Sequence, residues 1–137
     1  MSYGMAAALQ EAVYQRLAGD AALAALVGDA IFDAPPPGPV PHIYVALGPE
    51  EVRARADGSG QGAWHRFTVS VIATRAGFQA AKEVAGAVSD ALIDAPLALS
   101  RGQLVGLQFE RAQARREGRG DRRRIDLRFR ARVAETT

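Results

Sequence analysis

The chain has no cysteine, a single lysine, two histidines and few aromatic residues, 7% of its 137 positions. The lack of cysteine excludes a disulfide scaffold and a thiolate metal site. His42 and His65 each stand beside a strand pattern, and neither has a His-x-x-x-His or similar metal spacing, so both read as ordinary sheet or surface histidines. No glycine loop ends in Lys-Ser/Thr as a phosphate-binding loop does, and Ser59 in Gly58-Ser59-Gly60 lacks the strand-turn-helix setting of a nucleophile elbow. Glu50-Glu51 is an adjacent acidic pair that reads as solvated, and Arg119-Gly120-Asp121 matches an adhesion tripeptide by coincidence. No catalytic constellation can be assembled, so neither enzymatic activity nor a metal or cofactor is expected. No apolar run approaches the roughly 20 residues needed to span a bilayer. The N-terminal residues lack a basic stretch followed by an apolar one. A soluble, cytoplasmic product without membrane contact is expected.

What is present is ordinary in bulk and uneven in distribution. An apolar content of 48% and a charged content of 23% are those of a globular protein. The length predicts one domain, residues 1–137, burying roughly two-thirds of the surface of its unfolded chain. Sixteen of the seventeen basic residues are arginine, a choice that genome composition can impose, so their placement says more than their number.

Met5, Leu9, Val13 and Leu17 recur every four positions and predict a helix over residues 3–18, with Ser2 as N-cap and Gly19 as stop. Asp20 is placed to cap a second helix over 21–27, closed by Gly28. Ile31-Phe32 is a short extended piece, and residues 34–41, rich in proline, read as a rigid polyproline connector. Residues 42–47 alternate as a strand. Residues 48–62, rich in glycine and charge, show no apolar period and read as a long mobile loop. Residues 64–74 predict a strand with Phe67, Val69, Val71 and Ala73 toward the core and Trp64, Arg66, Thr68, Ser70 and Ile72 on the other face. Phe78, Ala81, Ala85, Val88 and Leu92 predict the best helix of the chain over 77–94, ended before Pro96. Residues 104–115 predict a strand with Val105, Leu107 and Phe109 inward, and a bulge near Glu110 that shifts the apolar parity to Ala112 and Ala114. A turn over 116–121 leads to a last strand over 124–133. The fold class is α+β: an antiparallel sheet of about four strands, one long helix packed on a face, and two N-terminal helices.

The last strand carries the strongest signal. Ile125, Leu127, Phe129, Ala131 and Val133 alternate without a break with Arg124, Asp126, Arg128, Arg130 and Arg132, which makes one apolar and one charged face. From Arg111 to Arg132 ten arginines stand against Glu117, Asp121 and Asp126. That is a local charge of +7 in a chain of net charge +2, leaving −5 for the remainder. Three readings follow. The face can be simply solvated. It can meet nucleic acid, since alternate residues of a strand present guanidinium groups roughly every 6.6–6.8 Å, a spacing suited to phosphates and not to base reading. Against that, no aromatic is interleaved in the face for base stacking. Or it can form a subunit interface or ring lumen, with Arg128, Arg130 and Arg132 pairing to a neighbour's Glu50, Glu51, Asp57 or Glu83, because opposite patches on one molecule favour head-to-tail rings.

Taken together the chain resembles the tail-completion, or tail terminator, proteins of siphovirus-like phages and gene transfer agents. The resemblance rests on Ala7 to Tyr14 followed by Asp20 to Gly28, on Ile31-Phe32-Asp33 ahead of the prolines, and on His42 to Gly48. It also rests on Phe67-Thr68-Val69-Ser70-Val71 before a helix containing Val88-Ser89-Asp90-Ala91-Leu92, and on Arg124 to Phe129. It spans nearly the whole length. It implies a single domain of that type and a structural role: a homo-hexameric ring that ends the tail tube and docks to the head-side connector. The major tail tube protein and a head completion or stopper protein would be its partners, and double-stranded DNA would pass through the channel without sequence specificity. It implies no catalysis and no cofactor, and assembly in the bacterial cytoplasm into the particle's tail. Within this frame Arg111, Arg124, Arg128, Arg130 and Arg132 are expected at a subunit interface or the channel. Glu50, Glu51, Arg53, Arg55, Arg116 and Arg119 are expected on assembly loops that order on contact. The alternative is a free-standing basic nucleic-acid-binding protein, against which the net charge of only +2 counts.

Overall fold

A computed structural model describes residues 3–34, 38–57, 60–74, 77–118 and 122–135. In chain order these form α1 (Ala6–Ala18), α2 (Ala21–Val27), β1 (Ile31–Phe32), β2 (Ile43–Asp57), β3 (Gly60–Ala73), α3 (Phe78–Leu92), β4 (Gln103–Glu117) and β5 (Arg122–Ala134). The strands make one sheet in the order β1-β2-β3-β5-β4. The helices pack on one face of it.

The helices follow their apolar spacing. Met5, Leu9, Val13 and Leu17 are all buried, and the Asp20 carboxylate accepts from the Leu23 N–H at 3.0 Å as the cap of α2. Ser2 lies outside the described residues, and α1 starts after Met5 without a side-chain cap. On α3 the buried stripe is Ala81, Val84, Ala85, Val88, Ala91 and Leu92. Arg16 ties the two long helices by donating to the Ala91 carbonyl at 2.9 Å, which satisfies an acceptor near the end of α3. The core between helices and sheet contains Val45, Leu47, Phe67, Val69, Val71, Leu107, Ile125, Leu127, Phe129, Ala131 and Val133. Phe129 is fully buried, stacked on Phe67 at 5.6 Å and touched edge-on by Phe109 at 6.0 Å.

Three expectations need correction. The sheet has five strands and is mixed: β1 pairs in parallel with β2 through Ile31 with Val45 and Phe32 with Ala46. The connection over residues 33–42 returns the chain in the same direction; Pro35, Pro36 and Pro37 within it are outside the described residues. The loop expected over 48–62 is strand up to Asp57 and again from Gly60, paired from Glu50 with Phe67 to Asp57 with Gly60. Its apolar period was hidden by a register shift between Leu47 and Glu50, after which Val52 and Ala54 lie on the helix side opposite His65 and Ala63. Gly58 and Ser59, like residues 119–121 of the expected turn, lie outside the described residues.

On β4 the bulge near Glu110 is present, between Phe109 and Arg111. A second shift between Leu104 and Gly106 turns Val105 out, however, and of the three residues expected inward only Leu107 is buried; Val105 is 55% and Phe109 43% exposed. β4 is an edge strand that extends past α3, so the helix-side positions Phe109, Ala112 and Ala114 stay uncovered and line a groove with Ala85, Gly86, Ile125 and Leu127. No helix among the described residues is long and apolar enough to cross a membrane.

Candidate functional site

The face of the sheet away from the helices carries the arginines, and cross-strand register determines which of them meet. Residues directly opposite one another share a face. Trp64 lies between Arg53 and Arg132, Arg66 between Glu51 and Arg130, and Thr68 opposite Arg128. Across β5, Arg111 stands opposite Arg128 and Arg115 opposite Arg124. Arg111, Arg124, Arg128, Arg130 and Arg132 are thus brought together, joined by Glu51, Arg53 and Arg55 from β2. Glu50 is on the other face, where it accepts from the Tyr3 hydroxyl at 2.7 Å and lies 3.1 Å from Nδ1 of the buried His65. The other ring nitrogen of His65 has no hydrogen-bond partner among the described residues. Arg116 pairs across with Arg123 on the helix side, near the end of β4, and Arg119 is outside the described residues.

Opposed arginines repel, and carboxylates are interleaved where they would otherwise do so. Glu110, the bulge residue, accepts from Arg66 at 3.1 Å and pairs with Arg128 at 3.2 Å. The bulge therefore does two things: it moves the apolar parity onto Ala112 and Ala114, and it turns a carboxylate onto the charged face. Asp126 accepts from Ser70 at 2.6 Å, Arg115 at 2.7 Å and Arg124 at 2.9 Å. Burial works against its ionisation, but the hydrogen bonds from Ser70, Arg115 and Arg124 and the charge of Arg124 outweigh it, holding the carboxyl below its ordinary value of 3.8. Glu117 adds contacts to Arg122 and Arg124, both at 3.3 Å. Glu51 pairs with Arg53 at 2.9 Å.

The far end of the face is built differently. Arg130, Arg55 and Arg132 lie over the Trp64 ring, at 4.5, 5.1 and 5.9 Å from its centroid. Arg130 also donates to the Gln108 amide oxygen at 3.1 Å and has no carboxylate partner among the described residues. Half-buried guanidinium groups over an indole are held by its π-face without losing their charge. The expectation that no aromatic interleaves the arginines is thus overturned. The signal was in the sequence: Trp64 falls on the non-core parity of its own strand, and only pairing of β3 with β5 places it beside Arg132. Glu110 and Gln108 were missed for the same reason, since their partners come from register. Among the described residues no group of three or more His, Asp or Glu could hold a metal ion.

Residues 11–134 match the family model of tail completion protein gp17. No curated protein matches. A chain in the solved structure of the virion of a native gene transfer agent particle is similar over 97% of this chain and 99% of that one, with 61% identity and a TM-score of 0.92.

Proposed function

Because the chain belongs to the tail completion protein gp17 family, we propose that it is a structural protein of a gene-transfer-agent or phage-like particle. In this reading it forms, as a single domain, a homo-hexameric ring that closes the tail tube and joins it to the head-side stopper, assembled in the bacterial cytoplasm. The near full-length likeness to a virion chain carries the reading. Double-stranded DNA passes through the ring, and the arginine face, the side of the sheet that the helices leave open, lines the passage.

The ion pairs on that face support a conduit over a dedicated binder. Arg66, Arg115, Arg124 and Arg128 are each held by a carboxylate of the same sheet. A guanidinium already paired gains less from a phosphate, and a duplex must move through a channel without being retained. No bond is made or broken in this role, so no catalytic group is needed. The test is genetic. Cells making the particle without this chain should yield DNA-filled heads lacking joined tails, or tails of unregulated length, and gene transfer should cease. Normal particles from such cells would refute the reading. Tight duplex binding by the lone subunit with steep salt dependence would favour the free-standing nucleic-acid-binding protein instead.

A further inference from the structure

Among the described residues each lateral edge of the sheet has an open stretch. β4, 15 residues long, pairs among the described strands only with β5. On its outer side β2 is paired with β1 only at Val45 and Ala46, so its remaining stretch to Asp57 meets no strand there among the described residues. Open edges of this length recruit other strands, and proteins usually blunt them with proline, short length or a covering element. β4 has no proline; the Asp94 N–H donates to its Leu107 carbonyl at 3.1 Å, so among the described residues the exposed stretch of this edge begins at Gln108, and on β2 the one proline is Pro49, within the register shift.

We infer that the β4 edge of one copy takes the β2 edge of the next, so that copies join through a continuous sheet. The inference rests on the ring reading and specifies its joint. Strand direction allows it: β2, β3, β5 and β4 alternate antiparallel in that order. A copy generated by rotation about an axis inclined to the strands by well under a right angle therefore presents its β2 antiparallel to β4, and the inclination supplies the stagger the joint needs, since within one sheet the open stretch of β2 lies level with residues 103–109 of β4. The faces also agree. On the helix side β4 offers exposed Ala112, Ala114 and Phe109 beside the groove floored by Ile125 and Leu127, and β2 offers Val52 and Ala54. On the charged side Arg111 is exposed and has no ion pair among the described residues, while the Glu51 side chain is 49% exposed and carries the opposite charge. Two different edges on one molecule make a head-to-tail contact, which either closes into a ring or propagates. With the helices outside, closure puts Trp64 and the arginines on the inner wall.

The absence of cysteine makes the joint directly readable. Cysteines are placed in combination at Arg111, Gln113 or Arg115 on β4 and at Glu51, Arg53 or Arg55 on β2, and the purified chain is oxidised gently. Strands in register bring opposed Cα atoms within about 4.4–6.8 Å, close enough for a disulfide. The expected result is intermolecular β4–β2 disulfides in one register, forming a ladder that ends at the ring. Native mass spectrometry of the unmodified chain reports separately whether copies assemble. An assembly that gives no β4–β2 disulfide in any pair, or gives β4–β4 disulfides, overturns the joint and leaves the ring standing. A chain that stays monomeric and uncrosslinked at every concentration overturns the joint as well. As a second variant, Ala112→Asp with Ala114→Asp puts charge on exposed positions of the edge. It should keep the helical circular dichroism and raise the dissociation constant at least tenfold; unchanged assembly counts against the joint.

Discussion

The guanidinium of Arg130 lies 4.5 Å over the ring of Trp64, with Arg132 and Arg55 near the same ring. The indole keeps cations together at one end of a sheet whose other end is balanced by carboxylates. If the contact holds Arg130 in place, its energy is measurable by a double-mutant cycle. Trp64→Leu and Arg130→Gln, singly and together, should give a coupling of about 0.5–1 kcal/mol in urea unfolding. Strict additivity of the two changes would mean that the stacking contributes nothing.

The two ends of the face should also differ toward DNA. Arg128 is engaged by Glu110, whereas Arg130 has, among the described residues, Gln108 and Trp64 and no carboxylate. In duplex retention at low salt, Arg130→Ser should lower the slope of log K against log salt by about 1. Arg128→Ser should change it less, because its charge is already shared. Serine at Arg128, Arg130 and Arg132 together should weaken ring assembly or gene transfer. Equal salt slopes for the two single variants would show that the sheet's ion pairs do not grade the face.

Much of this architecture was legible in local pattern. The period-two run of β5, the four-residue spacing of α1 and the stripe of α3 each depend on neighbours in sequence, and the structure follows them. The errors arose where register intervenes. A shift between Leu47 and Glu50 hid the second half of β2 behind a change of parity, and a shift at Gly106 turned Val105 out of the core. The site was half visible. Arg124, Arg128, Arg130 and Arg132 stand on one strand, but Trp64, Glu110 and Gln108 reach them from β3 and β4, and no spacing along the chain announces a partner 44 positions away such as Glu110 for Arg66.

Asp126 should give the protein an acid-sensitive component of stability. Its folded-state carboxyl is held below the ordinary 3.8, so its contribution is fully present above that value and is lost as pH falls through the lower folded value. The urea midpoint should decline as pH drops from just above the ordinary carboxylate range. Asp126→Asn should lower the midpoint at neutral pH, where the charged acceptor of Arg115 and Arg124 is lost, and flatten the acid limb. A variant that keeps the full acid dependence would assign that limb to other carboxylates.

Gly62 marks a close approach of β3 to β5. It lies opposite Ala134, and a Cβ built there would sit 2.7 Å from the Val133 carbonyl oxygen, a backbone atom that cannot move aside alone. Gly62→Ala should therefore push the two strands apart at the end of the sheet that holds Trp64 and Arg132, at a cost of about 1–3 kcal/mol. Gly86, in the middle of α3, is the matched control: nothing lies within 4 Å of its built Cβ. Gly86→Ala should stabilise by about 0.5–1 kcal/mol through helix propensity alone. Urea midpoints moving in opposite directions support the close approach at Gly62. A neutral Gly62→Ala would mean that this end of the β3–β5 pair relaxes freely, and the Trp64–Arg130 coupling should then be weak as well, since it depends on the same two strands being held in register.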